Sequence, residues 1–166
     1  MGYMLSSPLL FEKIKEENTK MNSFDMRVAD LEFHVQAVHE TLAEEYCKDY
    51  LIRESGKIKI NISEEEIQEE RRQLSNTQNS DNYVEFILAL KKIADELPMQ
   101  ERFLMHGAVI SYDGKGYLFT APSGTGKTTH VCLWKKYLGE ETEVINGDKP
   151  ILEISERGTY AYGTPW

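Results

Sequence analysis

The residues best spaced for chemistry are Ala121-Pro122-Ser123-Gly124-Thr125-Gly126-Lys127-Thr128. Gly124 and Gly126 permit backbone conformations closed to other residues, so successive N–H groups can point into one hollow. A helix starting near Lys127 would add the positive end of its dipole. In such a loop the lysine reaches terminal phosphates and the Thr128 hydroxyl can sit on Mg²⁺. Ala121 stands where the strict pattern has glycine, and is small enough to keep the turn if its φ is negative. Ser123, Thr125 and Thr129 add hydroxyls within reach of a phosphate. The chemistry implied is the binding of a nucleotide phosphate chain.

Asp148 is the next informative residue. It closes the apolar run Val144-Ile145-Asn146 and would offer a carboxylate to a metal if that strand ends beside the loop. The plain alternative is an Asn-Gly-Asp turn between two strands. His106, inside an apolar stretch, reads from its own surroundings as a hydrogen-bonded core histidine. His34 and His39 have no partner at metal-ligand spacing, and His130 has no direction that sequence fixes.

The elements that must hold these residues follow from periodicity. Leu104 to Tyr112 reads as a strand, Asp113-Gly114-Lys115-Gly116 as a tight turn and Tyr117 to Thr120 as the returning strand. A helix over 127–137, a strand over 144–146, and a hairpin of 151–154 with 159–162 follow. Upstream, Met26 to Val35 reads as two short strands or one with a turn. Val38, Leu42, Tyr46 and Tyr50 mark a helical stripe, and Lys57 to Ile62 alternates as a strand. Ser63 with Glu66 forms a capping box, so a helix should begin at Glu64. Phe86, Leu90, Ile93 and Leu97 make a second helical stripe, ended by Pro98. The polar run Ser75 to Asn82 is the expected boundary between a region 1–80 and a domain 81–166.

Composition narrows the classes. The chain has 166 residues, a net charge of −9 and 40% hydrophobic residues, enough apolar material for a folded core. The acidic excess lies in residues 1–100, and residues 101–166 are close to neutral. With no Lys/Arg cluster, nucleic acid is not an expected partner. Two isolated cysteines, Cys47 and Cys132, indicate neither a disulfide framework nor a zinc site, which suits a cytoplasmic location. No apolar run reaches the ~20 residues of a membrane span. Met1-Gly2-Tyr3-Met4-Leu5-Ser6 matches a loose myristoylation pattern without a second lipid signal, so no membrane association is expected.

Three segments together carry a family resemblance. Met105-His106-Gly107-Ala108-Val109-Ile110 with its hairpin, the loop Ser123 to Thr128, and Asn146-Gly147-Asp148-Lys149-Pro150 resemble the catalytic domain of HPr kinase/phosphorylase. They are most similar to its divergent HPr kinase-related relatives in the phosphoenolpyruvate carboxykinase-like superfamily. The resemblance covers about 103–166 and is loose over 1–100.

It implies an α/β P-loop domain with a mixed sheet, preceded by a small α+β region, acting as an ATP-dependent (or GTP-dependent) kinase on a serine or threonine hydroxyl of a protein or peptide. It implies nucleotide contacts from Ser123 through Thr129, Mg²⁺ on Thr128 and Asp148, and Lys127, Asp148 and His106 as catalytic groups. The family usually carries two adjacent acids at the strand end. Here Asp148 stands alone, between Gly147 and Lys149.

Gly163-Thr164-Pro165-Trp166 resembles a loop after which the related kinases continue, so the chain is expected to run on beyond Trp166. A homo-oligomer is left open. Two rival readings remain. One is a nucleotide-binding regulatory module without turnover. The other is a phosphoenolpyruvate carboxykinase-like phosphotransferase, which would need a carboxylate-binding arginine from Arg102 or Arg157.

Overall fold

The computed structural model describes residues 22–74 and 79–166. The myristoylation pattern at 1–6 and the first half of the polar run, 75–78, lie outside the described residues. The fold is mixed α/β, with three small open sheets of three strands each. The chain divides into two compact units between Asp95 and Glu96. That division differs from the boundary expected at 80/81, because the helix that follows residue 80 is tied to the first unit.

In the first unit, β1 (Ser23–Val28) and β2 (Leu31–Gln36) form an antiparallel hairpin. Ala29 and Asp30, both with positive φ, make the turn between them. The two-strand alternative for this stretch is therefore the one observed. β3 (Ile58–Asn61) adds in parallel to β2. The inner face buries Phe24, Met26, Phe33, Val35 and Ile60, and the outer face is polar.

Helix α1 (Glu64–Gln73) starts on the expected capping box. Glu66 N–H donates to Ser63 Oγ and Ser63 N–H donates to Glu66 Oε2. Helix α2 (Asp81–Glu96) is capped by Ser80, whose Oγ accepts from Tyr83 N–H at 3.3 Å. It buries Val84, Phe86, Leu90 and Ile93.

The helical stripe expected over 37–52 is not a continuous α-helix. It is a wide turn over Leu42–Tyr46, closed by Cys47 N–H on Leu42 O, and then a tight turn over Lys48–Tyr50. Glu85 of α2, fully buried, accepts from the Val38 and His39 N–H groups at 2.6 and 3.1 Å and contacts His39 Nδ1 at 2.9 Å. The Glu85 carboxylate thus holds the chain at the entry to these two turns. Lys91 and Lys92 of α2 pair with Glu70 and Glu66 of α1, and Phe86 stacks on Tyr46.

The second unit holds β4 (Arg102–Leu104), β5 (Ala108–Tyr112), β6 (Lys115–Phe119), α3 (Lys127–Leu138), β7 (Glu143–Asn146), β8 (Ile151–Ser155) and β9 (Gly158–Tyr162). The strand expected over 104–112 is interrupted at 105–107, so β4 and β5 join different sheets, ordered β4-β8-β9 and β6-β5-β7. The turn between β5 and β6 uses only Asp113 and Gly114, both with positive φ, and β6 starts earlier than expected. α3 covers one face of β6-β5-β7. Its Val131 packs on Ala108 and Ile110, with Tyr117, Phe119 and Trp134 around them.

Candidate functional site

The strand order decides where the chemistry-bearing residues meet. β6 and β7 both run antiparallel to β5, one on each side. They are therefore parallel to each other with one strand between, and their C-terminal ends leave the sheet at the same edge. From β6 the chain enters the glycine-rich loop; from β7 it enters the turn that carries Asp148. A strand delivering Asp148 to the loop's edge would ordinarily be the loop strand's parallel neighbour. Instead β7 is antiparallel to the strand it pairs with, and the shared edge arises because β5 separates two equivalent exits.

The loop 120–126 is shaped by its glycines. Gly124 and Gly126 have φ of +80° and +97°, values at which a side chain is strained. Ala121 stays out of that region, as its position requires. Thr125 folds back on Pro122 O through both its Oγ (2.7 Å) and its N–H (3.4 Å). Gly126 is the N-cap of α3. No side chain caps this end, and the first turn has no acidic residue. The leading amides of a helix have no intrahelical acceptor, so this terminus is a positive, uncompensated surface. Ser123, Gly124, Thr125, Thr128 and Thr129 are exposed beside it. Lys127 Nζ donates to Ala121 O at 2.9 Å, which fastens the loop to the helix start and leaves other ammonium hydrogens for a ligand.

The turn 146–149 is organised by a residue the sequence reading passed over. Asn146 is buried, and its Oδ1 accepts from Asp148 N–H (2.8 Å) and Lys149 N–H (2.7 Å). Its Nδ2 donates to Thr164 Oγ1 at 3.0 Å and to Trp166 O at 3.1 Å. The signal available in sequence was Asn-Gly-Asp itself, a typical side-chain-to-backbone turn.

Asp148 and His106 are brought together. Met105 N–H donates to Pro150 O and Gly107 N–H to Asp148 O, so the interruption between β4 and β5 lies against the turn between β7 and β8. His106 Nε2 lies 3.3 Å from Asp148 Oδ1, and both side chains are about half exposed. The core reading of His106 is thereby corrected: the strand breaks at this residue and leaves its ring at the surface. Lys149 Nζ lies 2.6 Å from Asp148 Oδ2. Its hydrogen bond, followed by the charges of Lys149, His106 and Lys127, holds the Asp148 carboxyl below the usual aspartate range. Asp148 is therefore ionised at neutral pH and within the field of three basic groups.

His130, whose direction the sequence left open, accepts from Trp134 Nε1 at 3.2 Å and sits edge-on to Phe119. It belongs to the aromatic cover of the sheet. Arg102 and Arg157 both bind Glu153, at 2.8 Å each, and Tyr162 O–H donates to the same carboxylate.

Among the described residues no three His, Cys, Asp or Glu side chains group to ligate a metal by themselves. Hard oxygen donors at this sheet edge include the exposed Thr128 hydroxyl on the loop side and the Asp148 carboxylate on the turn side, types that suit a cation sharing its shell with phosphate and water. Among the described residues no helix is long and apolar enough to cross a membrane. Compared with known protein families, curated protein sequences and solved structures, the chain matches none.

Proposed function

We propose that residues 96–166 bind a nucleoside triphosphate, ATP or GTP, on the loop 121–128 and transfer its terminal phosphoryl group to a serine or threonine hydroxyl of a protein or peptide. The observation that carries this reading is the pairing of an uncapped helix start behind two left-handed glycines with an ionised Asp148 at the same sheet edge. The HPr kinase-like P-loop architecture belongs to the same proposal.

In this reading the loop amides and Lys127 hold the phosphate oxygens. Mg²⁺, when bound by Thr128 and Asp148, supplies further positive charge there. The acceptor oxygen forms a bond to the terminal phosphorus as the bond to the bridging oxygen breaks. The nucleoside diphosphate leaves, and the hydroxyl proton passes to the bare ring nitrogen of a neutral His106 or to Asp148. Positioning and electrostatics dominate such a transfer, so a single acid suffices if the imidazole is neutral.

The carboxykinase-like alternative loses support, since Arg102 and Arg157 already share an internal carboxylate, Glu153. Binding without turnover is favoured by one observation: Lys149, beside Asp148, neutralises the only acid of the turn.

The test is a thermal-shift titration with ATP and Mg²⁺, followed by transfer of labelled phosphate to serine and threonine peptides. The wild-type chain is expected to be stabilised and Lys127→Ala not. An equal shift in both would refute the site. Stabilisation without any release of the diphosphate over hours would leave the binding module as the function.

A further inference from the structure

The outer face of the β1–β2 hairpin carries a second cluster of reactive groups, in the first unit and independent of the nucleotide reading. Ser23 Oγ lies 3.3 Å from His34 Nε2, and His34 Nδ1 lies 2.9 Å from Asp25 Oδ1. The pleat alone sets this order. Asp25 and His34 are direct cross-strand partners, and Ser23 stands two residues before Asp25 on the same face.

An ionised carboxylate only accepts hydrogen bonds, so His34 Nδ1 carries the hydrogen. In the neutral ring Nε2 is then bare and faces the Ser23 hydroxyl. Asp25 is itself held. Its Oδ1 also accepts from Gly56 N–H at 2.8 Å. A Cβ on Gly56 would fall 2.1 Å from the Phe33 carbonyl carbon, so this anchor works only with the glycine backbone pressed against β2. His34 and Asp25 keep a third and a fifth of their side chains exposed, and the cluster is open to solvent. Lys59, exposed and in register with His34 on β3, supplies positive charge on the same face.

We propose that Ser23 is a nucleophile activated by His34, with Asp25 as the positioning residue, and that this face cleaves small acyl esters. Ser23 Oγ forms a bond to the acyl carbon while its proton passes to His34 Nε2. The alcohol or phenol leaves with that proton. Water then attacks the acyl-serine, giving a proton to His34, and the carboxylic acid departs as the Ser23 hydroxyl is restored. Asp25 stays ionised beside the imidazolium. The open, partly exposed cluster suits a small ester with a good leaving group.

The experiment uses the full chain with p-nitrophenyl acetate and, separately, a fluorophosphonate whose adduct is located by mass spectrometry. The wild-type chain is expected to carry the adduct on Ser23. Ser23→Ala should abolish both labelling and turnover while leaving the thermal midpoint unchanged. Asp25→Asn keeps an oxygen at the position shared by Gly56 N–H and His34 Nδ1 but removes the charge that stabilises the imidazolium, and should slow labelling at an unchanged thermal midpoint. An unlabelled Ser23 in the folded wild-type chain, or ester turnover equal in wild type and Ser23→Ala, overturns the proposal. The latter result would assign the turnover to surface imidazole alone.

Discussion

Asn146 and Thr164 are bonded side chain to side chain, Nδ2 to Oγ1 at 3.0 Å, and Thr164 Oγ1 also donates to Lys149 O at 2.8 Å. The turn that carries Asp148 is thus closed from both sides by two buried polar residues, neither of which touches the glycine-rich loop. Asn146→Ala removes a group that serves two amides and two oxygen acceptors. Its expected cost is about 2 kcal/mol or more, because the buried partners are left unsatisfied. Chemical denaturation should show a lower midpoint at unchanged slope, and metal-dependent nucleotide binding should weaken with it.

Gly126→Ala separates conformation from packing. The nearest atom to a Cβ there is Thr129 Cβ at 4.0 Å, so nothing clashes, but φ is +97°. The strain should cost about 1–2 kcal/mol of stability. If the loop amides bind phosphate, nucleotide affinity should fall by more than that strain alone. Calorimetry showing equal affinity in wild type and variant would remove the loop amides from the binding site.

Asp148→Asn tests the metal. The amide keeps the shape of the turn but loses the charge. It should weaken nucleotide binding in the presence of Mg²⁺ and leave binding in chelator nearly unchanged. Lys149→Met is the companion variant. It removes the chief cause of the depressed Asp148 carboxyl, so the carboxyl titration followed by NMR should move up toward the ordinary value. No movement would show that the 2.6 Å pair is not held in solution.

Glu153 gives a pH dependence with a definite sign. The Tyr162 hydrogen bond first, then Arg157 and Arg102, hold its carboxyl below the usual glutamate range. A carboxyl depressed on folding favours the folded chain fully above its unfolded value, about 4.3. That advantage is lost as pH falls through the lower folded value. Unfolding midpoints measured from neutral pH downward should decline across this window. In Glu153→Gln the decline should be flatter, starting from a less stable neutral state in which Arg102 and Arg157 have lost their shared partner.

What was legible in the sequence was local. The capping box at Ser63 and Glu66 and the alternation of 57–62 are each decided within a few residues, and the structure shows the helix and the strand they call for; at 121–128 it shows two positive-φ glycines leading into a helix. In place of the helix expected over 37–52 stand two short turns, entered at the Val38 and His39 amides that Glu85, 47 and 46 residues away, holds. No periodicity records a contact at that separation. His106 failed for a related reason. Its neighbours look like one strand, but the segment opposite makes a turn at Asn146, and the ladder breaks where that turn faces it. Asp148 was legible as a strand-end acid; its anchoring through Asn146 to Thr164 was not, since the partner lies 18 residues on.

The central place of β5 has a mechanical consequence. β6 and β7 are hydrogen-bonded to that strand and not to each other, and Val131 of α3 packs on its Ala108 and Ile110. Fraying of this single rung would release the glycine-rich loop and the Asp148 turn in one event. Amide exchange along 117–119 and 144–146 should therefore follow a common opening rate, with the loop and the turn lost or kept together.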